Sequence, residues 1–314
     1  MTNRLALIDM GTNTFHLLVT EVNEQGQLRD LYKTQVPVRL GQGGISNGNI
    51  APEAYERALK TLNDFRKVID ELGAETVRAM ATSMVRNAAN GEDFVKDIYK
   101  QTDIRVEVID GAREAELIYY GVRFAGVLNE QTALVMDIGG GSVEFILCNN
   151  REIFWKRSFE IGAQRLMDQF FTADPIPAAS IAAEKAYLAG KLQPLTEAVA
   201  MYKPTILVGS SGTFDTICDI HALRKGDTSR QQSIPLATTL SIADYYQIHH
   251  ELLTKNHQER LAIPGMLAMR VDMIVLASIA VDFVLEKYDL QEIRVSAYAL
   301  KEGVLQQMLA EDTL

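Results

Sequence analysis

The chain opens with three short apolar runs, Leu5 to Asp9, Phe15 to Val22 and Leu28 to Leu40, separated by Gly11-Thr12-Asn13 and by Asn23-Glu24-Gln25-Gly26. Runs of this length bounded by turn formers predict a three-strand meander. From Pro52 the period changes to a helical one. Tyr55, Leu59, Leu62, Val68, Ile69 and Leu72 recur on one face, proline occupies a favourable first position and Gly73 supplies a stop. A strand from Val77 to Ala81, a helix around Met84 to Tyr99, a strand from Arg105 to Ile109 and a helix from Glu114 to about Phe124 complete the order βββαβαβα.

The second half is expected to repeat it. Ala133 to Ile138, Val143 to Cys148 and Glu152 to Glu160 read as strands, followed by helices between Ala163 and Met201 and a strand from Thr205 to Val208. A helix from Phe214, a polar loop from Arg224 to Gln232, further helices to Lys287, a strand from Glu292 to Ser296 and a helix from about Ala299 close the chain. The stretch Met273 to Leu285 is the longest apolar one; Asp282 interrupts it, and it reads as a buried helix too short to span a bilayer. The expected fold class is α/β, with two duplicated domains, 1–124 and 125–299, and a C-terminal helix, 300–314, packing back on the first.

The chemistry sits in the turns. Asp137-Ile138-Gly139-Gly140-Gly141-Ser142-Val143-Glu144 places a carboxylate at a strand end, three glycines in a turn and a second carboxylate in the next strand. Glycines let backbone N–H groups approach phosphate oxygens, and Asp137 and Glu144 suit a hard cation or its waters. Asp9-Met10-Gly11-Thr12-Asn13-Thr14-Phe15-His16 aligns on this run without a gap, at an offset of 137 − 9 = 128. Ala81-Thr82-Ser83 matches Gly209-Ser210-Ser211 at the same offset, 211 − 83 = 128. The repeated spacing indicates internal duplication. Because His16 replaces the acid seen at Glu144, the second hairpin is expected to carry the metal and the first to assist phosphate binding through Asn13 and Thr14.

Three further places admit two readings. Gly209-Ser210-Ser211-Gly212-Thr213 could offer N–H groups to an anion at a helix start, or be a capped βα turn. Arg86 could hold a phosphate in a bidentate manner, or pair with Asp93 or Glu92. Glu114 lies where a strand gives way to a helix, and compensation of the helix dipole is the better account of it on pattern alone. The five histidines form no ligand-spaced set, and all but His16 read as structural.

Composition narrows the classes. The 314 residues are 47% hydrophobic and 23% charged with a net charge of −10, which disfavours a nucleic-acid partner but not a small phosphorylated one. Most basic residues, among them Arg39, Lys156, Arg157, Arg165, Arg270 and Lys301, read as scattered solvated charges. Two cysteines without CxxC spacing argue against disulfides or zinc and for a reducing cytoplasmic setting. No signal peptide or membrane segment is expected.

Five ordered motifs carry a family resemblance: Asp9 to His16, Ala81 to Asn90, Asp110 to Val122, Asp137 to Glu144, and Gly209 to Thr213. In these motifs the chain resembles the Ppx/GppA family of exopolyphosphatases and guanosine pentaphosphate phosphatases, within the actin, sugar kinase and acetate kinase superfamily. The resemblance implies two actin-like, ribonuclease H-like domains facing a central cleft. It assigns Glu114 as the general base, against the reading favoured by pattern. It makes Asp137 and Glu144, with Asp9 as their counterpart, the acids that organise magnesium, manganese being the alternative ion. Thr12, Asn13, Thr14, Arg86, Gly139, Gly140, Gly141, Ser142, Ser210, Ser211, Gly212 and Thr213 then match the phosphate contacts.

Several positions depart from the family pattern. Thr12 and Thr14 replace serines, Asp110 replaces a serine, and Lys301-Glu302-Gly303 replaces Arg-Glu-Gly; the chain is similar to the short, two-domain form. The implied activity is magnesium-dependent release of orthophosphate from inorganic polyphosphate. Alternatives are guanosine pentaphosphate hydrolysis, a sugar or acetate kinase activity, and a non-catalytic sensor of polyphosphate or guanosine tetraphosphate. A homodimer is the assembly to test.

Overall fold

The computed structural model describes residues 3–23 and 27–311. The chain divides into two compact units, Met1–Glu114 with Val304–Leu314, and Ala115–Gly303. One helix, Gly111–Phe124, is shared between the units, its residues up to Glu114 falling in the first.

The first unit begins with β1 (Asn3–Met10), β2 (Phe15–Val22) and β3 (Leu28–Val36), then α1 (Pro52–Glu71), β4 (Thr76–Ala81), α2 (Ser83–Asn87), α3 (Gly91–Thr102), β5 (Val106–Val108) and the start of α4 (Gly111–Phe124). Its sheet runs β3-β2-β1-β4-β5, the meander antiparallel and the last two strands parallel to β1. The turn expected at 23–26 lies outside the described residues save for Asn23. The strand expected to reach Leu40 stops at Val36, since Pro37 brings no N–H to the ladder and Arg39 takes a φ of +52°. The core packs Ile8, Phe15, Leu17 and Leu40 against Leu62, Phe65 and Ile69 of α1 and Phe94 and Ile98 of α3.

The single helix expected from 84 to 99 is two. Ala88 turns extended after α2, and the Asn90 side chain bonds both the N–H and the carbonyl of Ile50, at 2.9 and 3.0 Å. A side chain committed to a distant strand-like segment breaks the helical run.

The second unit holds β6 (Ala133–Ile138), β7 (Val143–Cys148), β8 (Ile153–Phe159), α5 (Ala163–Phe170), α6 (Ala178–Lys191), α7 (Gln193–Tyr202), β9 (Ile206–Ser210), α8 (Ser211–Arg224), α9 (Ser229–Gln232), β10 (Ala237–Leu240), α10 (Ile242–Thr254), α11 (His257–Leu261), α12 (Met273–Tyr288) and β11 (Glu292–Ser296). α13 (Leu300–Glu311) follows. The sheet order is β10-β11-β9-β6-β7-β8. The strands β8-β7-β6-β9-β11 repeat the order of the first sheet, and β10, which the sequence reading missed, adds an antiparallel edge beside β11. α12 is the expected buried helix: every residue from Ile274 to Leu285 is buried. No helix among the described residues is long and apolar enough to cross a membrane.

Candidate active site

The pairing register of the second sheet builds a polar row. Ser158 of β8 lies opposite Glu144 of β7, Glu144 opposite Asp137 of β6, and Asp137 beside Ser210 of β9. Directly paired residues share a face, so the four side chains converge. Ser158 Oγ donates to Glu144 Oε1 at 2.6 Å. Ser210 Oγ donates to Asp137 Oδ2 at 2.5 Å, and Ser211 Oγ lies 2.8 Å from each Asp137 oxygen. Ser211 adopts a φ of +68° to do so, a conformation that costs energy in a non-glycine residue. Burial pushes the Asp137 carboxyl up, the two serine hydroxyls pull it down, and Glu302 and Lys301 act in opposite senses.

The Ser210 and Ser211 hydroxyls thus hold the Asp137 carboxylate. The two acids are 6% and 1% exposed, oxygen-only and adjacent. Such a pair fits a small hard cation that takes its other ligands from water and phosphate oxygens. Among the described residues no group of three or more His, Cys, Asp or Glu could hold a metal unaided.

The glycine turn itself closes with Gly139 N donating to Ser142 O at 3.0 Å. The N–H groups of Gly140, Gly141 and Ser142 meet no protein acceptor among the described residues. Three adjacent donors on a glycine turn can bind an anion. The first turn closes identically, Gly11 N to Thr14 O at 3.1 Å, with Thr12 and Thr14 buried.

The first unit's row differs. Gln35, His16, Asp9 and Met80 take the places of Ser158, Glu144, Asp137 and Ser210. Asp9 thus stands opposite His16 instead of a second acid. The helices after the two loops keep the matched spacing, α2 starting at Ser83 and α8 at Ser211, 211 − 83 = 128, whereas the strand register does not. Met80 pairs with Asp9 as Ser210 pairs with Asp137, so the structural offset there is 210 − 80 = 130 rather than 128.

Arg86 and Glu114 meet in the first unit. Arg86 Nη1 donates to Glu114 Oε2 at 2.9 Å and to Ile109 O at 3.0 Å, so in the ion-pair reading Glu114 is a partner of Arg86, where Asp93 or Glu92 was expected. Glu114 is buried, more than dipole compensation at a surface helix start requires. Asp110 starts α4 by accepting from Arg113 N at 2.7 Å, which explains how it substitutes for the family's serine. Glu302, in the first turn of α13, makes the reverse contact, accepting from the N–H of Ala299 just before the helix at 3.0 Å.

Sequence reading treated Arg270 as a scattered charge, and missed its position. Its guanidinium packs on Gly212, where any side chain would overlap it, and its Nε is buried without a hydrogen-bond partner among the described residues. Burial pushes the Asp215 carboxyl, one turn into α8, up to about 6 against the pull of Arg270. The only sequence signal for this contact is a glycine inside a helix start.

Two sheets built on the order 3-2-1-4-5, each with a polar hairpin at the end of its first strand, define an actin-like, ribonuclease H-like protein whose turns suit phosphate. The profile of the Ppx/GppA phosphatase family matches residues 18–312. The chain belongs to that family and is an enzyme of the class that hydrolyses phosphoanhydride bonds. It is 30% identical to Exopolyphosphatase 2 of Mycobacterium tuberculosis, over 96% of this chain and 97% of that one. An exopolyphosphatase structure from Cytophaga hutchinsonii superimposes with a TM-score of 0.94 at 43% identity, covering 98% of each chain. The Ppx/GppA family member of Aquifex aeolicus gives 0.81 at 23% identity, covering 100% of each.

Proposed function

We propose that the protein is an exopolyphosphatase, releasing orthophosphate from the end of an inorganic polyphosphate chain with magnesium as cofactor. The observation that carries the reading is the buried Glu114 carboxylate fixed by Arg86. In this reading Glu114 accepts the proton of the attacking water, and a held carboxylate needs no reorientation to do so. In the second unit the N–H groups of Gly140, Gly141 and Ser142 would hold phosphate oxygens, and in the first unit Arg86 supplies positive charge beside Glu114.

Asp137 and Glu144 would hold magnesium, whose chemistry is neutralisation of charge on the phosphate oxygens. The serines on Asp137 and Glu144 keep those carboxylates aimed. Support for polyphosphate as substrate comes from the names of the relatives, and guanosine pentaphosphate is the competing substrate.

The test is phosphate release from long-chain polyphosphate, with and without magnesium, by the wild type and E114A. A loss of about 10²–10⁴-fold in E114A is expected for removal of a general base. Equal rates in the two proteins would sink the assignment, and faster turnover of guanosine pentaphosphate would replace the substrate.

A further inference from the structure

The carbonyl groups of the second glycine turn are all engaged by the segment that starts α5. Ala163 N donates to Gly139 O at 2.9 Å, Gln164 N to Gly140 O at 2.9 Å and Gly162 N to Gly141 O at 3.2 Å. Arg165 Nε adds a second bond to Gly141 O at 2.9 Å. In a planar trans peptide, the carbonyl of one residue and the N–H of the next point in opposite directions. Holding three consecutive carbonyls against α5 turns the N–H groups of Gly140, Gly141 and Ser142 away from it. Those are the three turn donors that meet no protein acceptor among the described residues. Gly162 permits the approach, because a Cβ there would stand 2.5 Å from the carbonyl carbon and oxygen of Gly140.

The first turn is backed in the same manner by an unrelated segment. Gly41 N donates to Thr12 O at 2.9 Å and Arg39 N to Asn13 O at 2.7 Å, turning the N–H groups of Asn13 and Thr14 the other way. Arg39 adopts its left-handed φ of +52° within this contact. Gly41 is needed too, since a Cβ would lie 2.6 Å from Thr12 Cγ2. The two hairpins share their strands by duplication but reach the same carbonyl engagement through a helix start in one unit and a loop in the other. What they have in common is the direction of the N–H groups.

We infer that these backing contacts are part of the anion-binding machinery, and that Arg165 is a positioning residue acting through the Gly141–Ser142 peptide. The inference rests on the functional reading above, in which the turn binds phosphate. A guanidinium bonded to the carbonyl polarises the peptide and makes the N–H at its far end a stronger donor. Glu160, 3.3 Å from Arg165 Nη2, steadies the guanidinium. Pre-set donors bind an anion without first being ordered, which raises affinity.

The test uses the full chain and orthophosphate as probe, comparing the wild type with R165M and R165K. R165M is expected to raise the orthophosphate dissociation constant about tenfold, the size of one charge-assisted hydrogen bond. In the phosphate-free protein the Ser142 amide proton resonance should move upfield while that of Gly140 stays, a signature that general destabilisation does not produce. R165K, which can still donate to Gly141 O, should recover part of both effects. An unchanged dissociation constant or an unmoved Ser142 resonance in R165M overturns the inference, as does failure of the wild type to bind orthophosphate. Wild type that binds orthophosphate but releases none from polyphosphate would overturn the functional reading alone, leaving the two binding readouts to decide this one.

Discussion

Glu114 accepts a hydrogen bond from Arg86 across 28 residues of sequence, and both side chains are largely withdrawn from water, at 8% and 17% exposure. Removing one member of such a pair takes a charge partner from a side chain that stays largely withdrawn from water, which costs up to about 3–5 kcal/mol, whereas removing both costs less. In a double-mutant cycle, R86M and E114Q should each lower the urea midpoint, and the double variant should lower it by less than the sum of the two single effects. The double variant should be more stable than that sum by at least about 1 kcal/mol. Additive effects would mean that the pair contributes no coupling.

Asp137 is held by two hydroxyls, and its proposed role is to bind magnesium. Loss of groups that orient a metal ligand typically costs about 10–100-fold in metal affinity. S210A combined with S211A is therefore expected to raise the magnesium concentration for half-maximal phosphate release by that order, while saturating magnesium restores most of the rate. A rate that magnesium does not restore would place the serines on phosphate, as the sequence reading had them.

The sheets were legible from the chain because strand runs, glycine turns and the duplicated hairpin are local patterns; Phe15–Val22, Ala133–Ile138, Val143–Cys148 and Glu292–Ser296 fall where those patterns put them. What escaped was set by partners far along the chain. Asn90 breaks a helix by bonding Ile50, and β10 forms because Ala237–Leu240 pairs with β11 despite its polar composition. Within the candidate site, the aspartates, glutamate and glycines could be read from spacing. Glu114 could not, because its distinguishing property is burial beside Arg86. The backing of Gly139–Gly141 by Gly162–Arg165 was equally hidden, since nothing in a glycine triplet states what lies behind it.

Gly121 of α4 and Gly303 of α13 cross in the second unit. A methyl group at Gly121 would overlap Ala299 O, and one at Gly303 would overlap Leu117 O. The obstacles are backbone atoms, which cannot rotate aside, so relief requires the helices to separate. G121A and G303A should each destabilise the protein by about 2–4 kcal/mol, beyond the small gain that alanine brings to a helix. Thermal midpoints within about 1 °C of the wild type would show that the crossing yields easily.

Glu184 of α6 is fully buried, and neither of its carboxylate oxygens has a hydrogen-bond partner among the described residues. Burial pushes its carboxyl up to about 9 from the 4.5 of an exposed glutamate. The folded protein thus keeps a proton that the unfolded chain releases, and stability must fall as pH rises through the interval between those values. The slope for one such group is about 1.4 kcal/mol per pH unit. Below the lower value both states are protonated and this penalty vanishes; above the upper one both are ionised and it levels off at its greatest. E184M fills the same space without a titratable group. Its stability advantage over the wild type should therefore widen steadily from about pH 5 to about pH 8, measured by urea unfolding at each pH. Parallel pH profiles for the two proteins would show that the Glu184 carboxyl finds a partner or water in solution and ionises like any other.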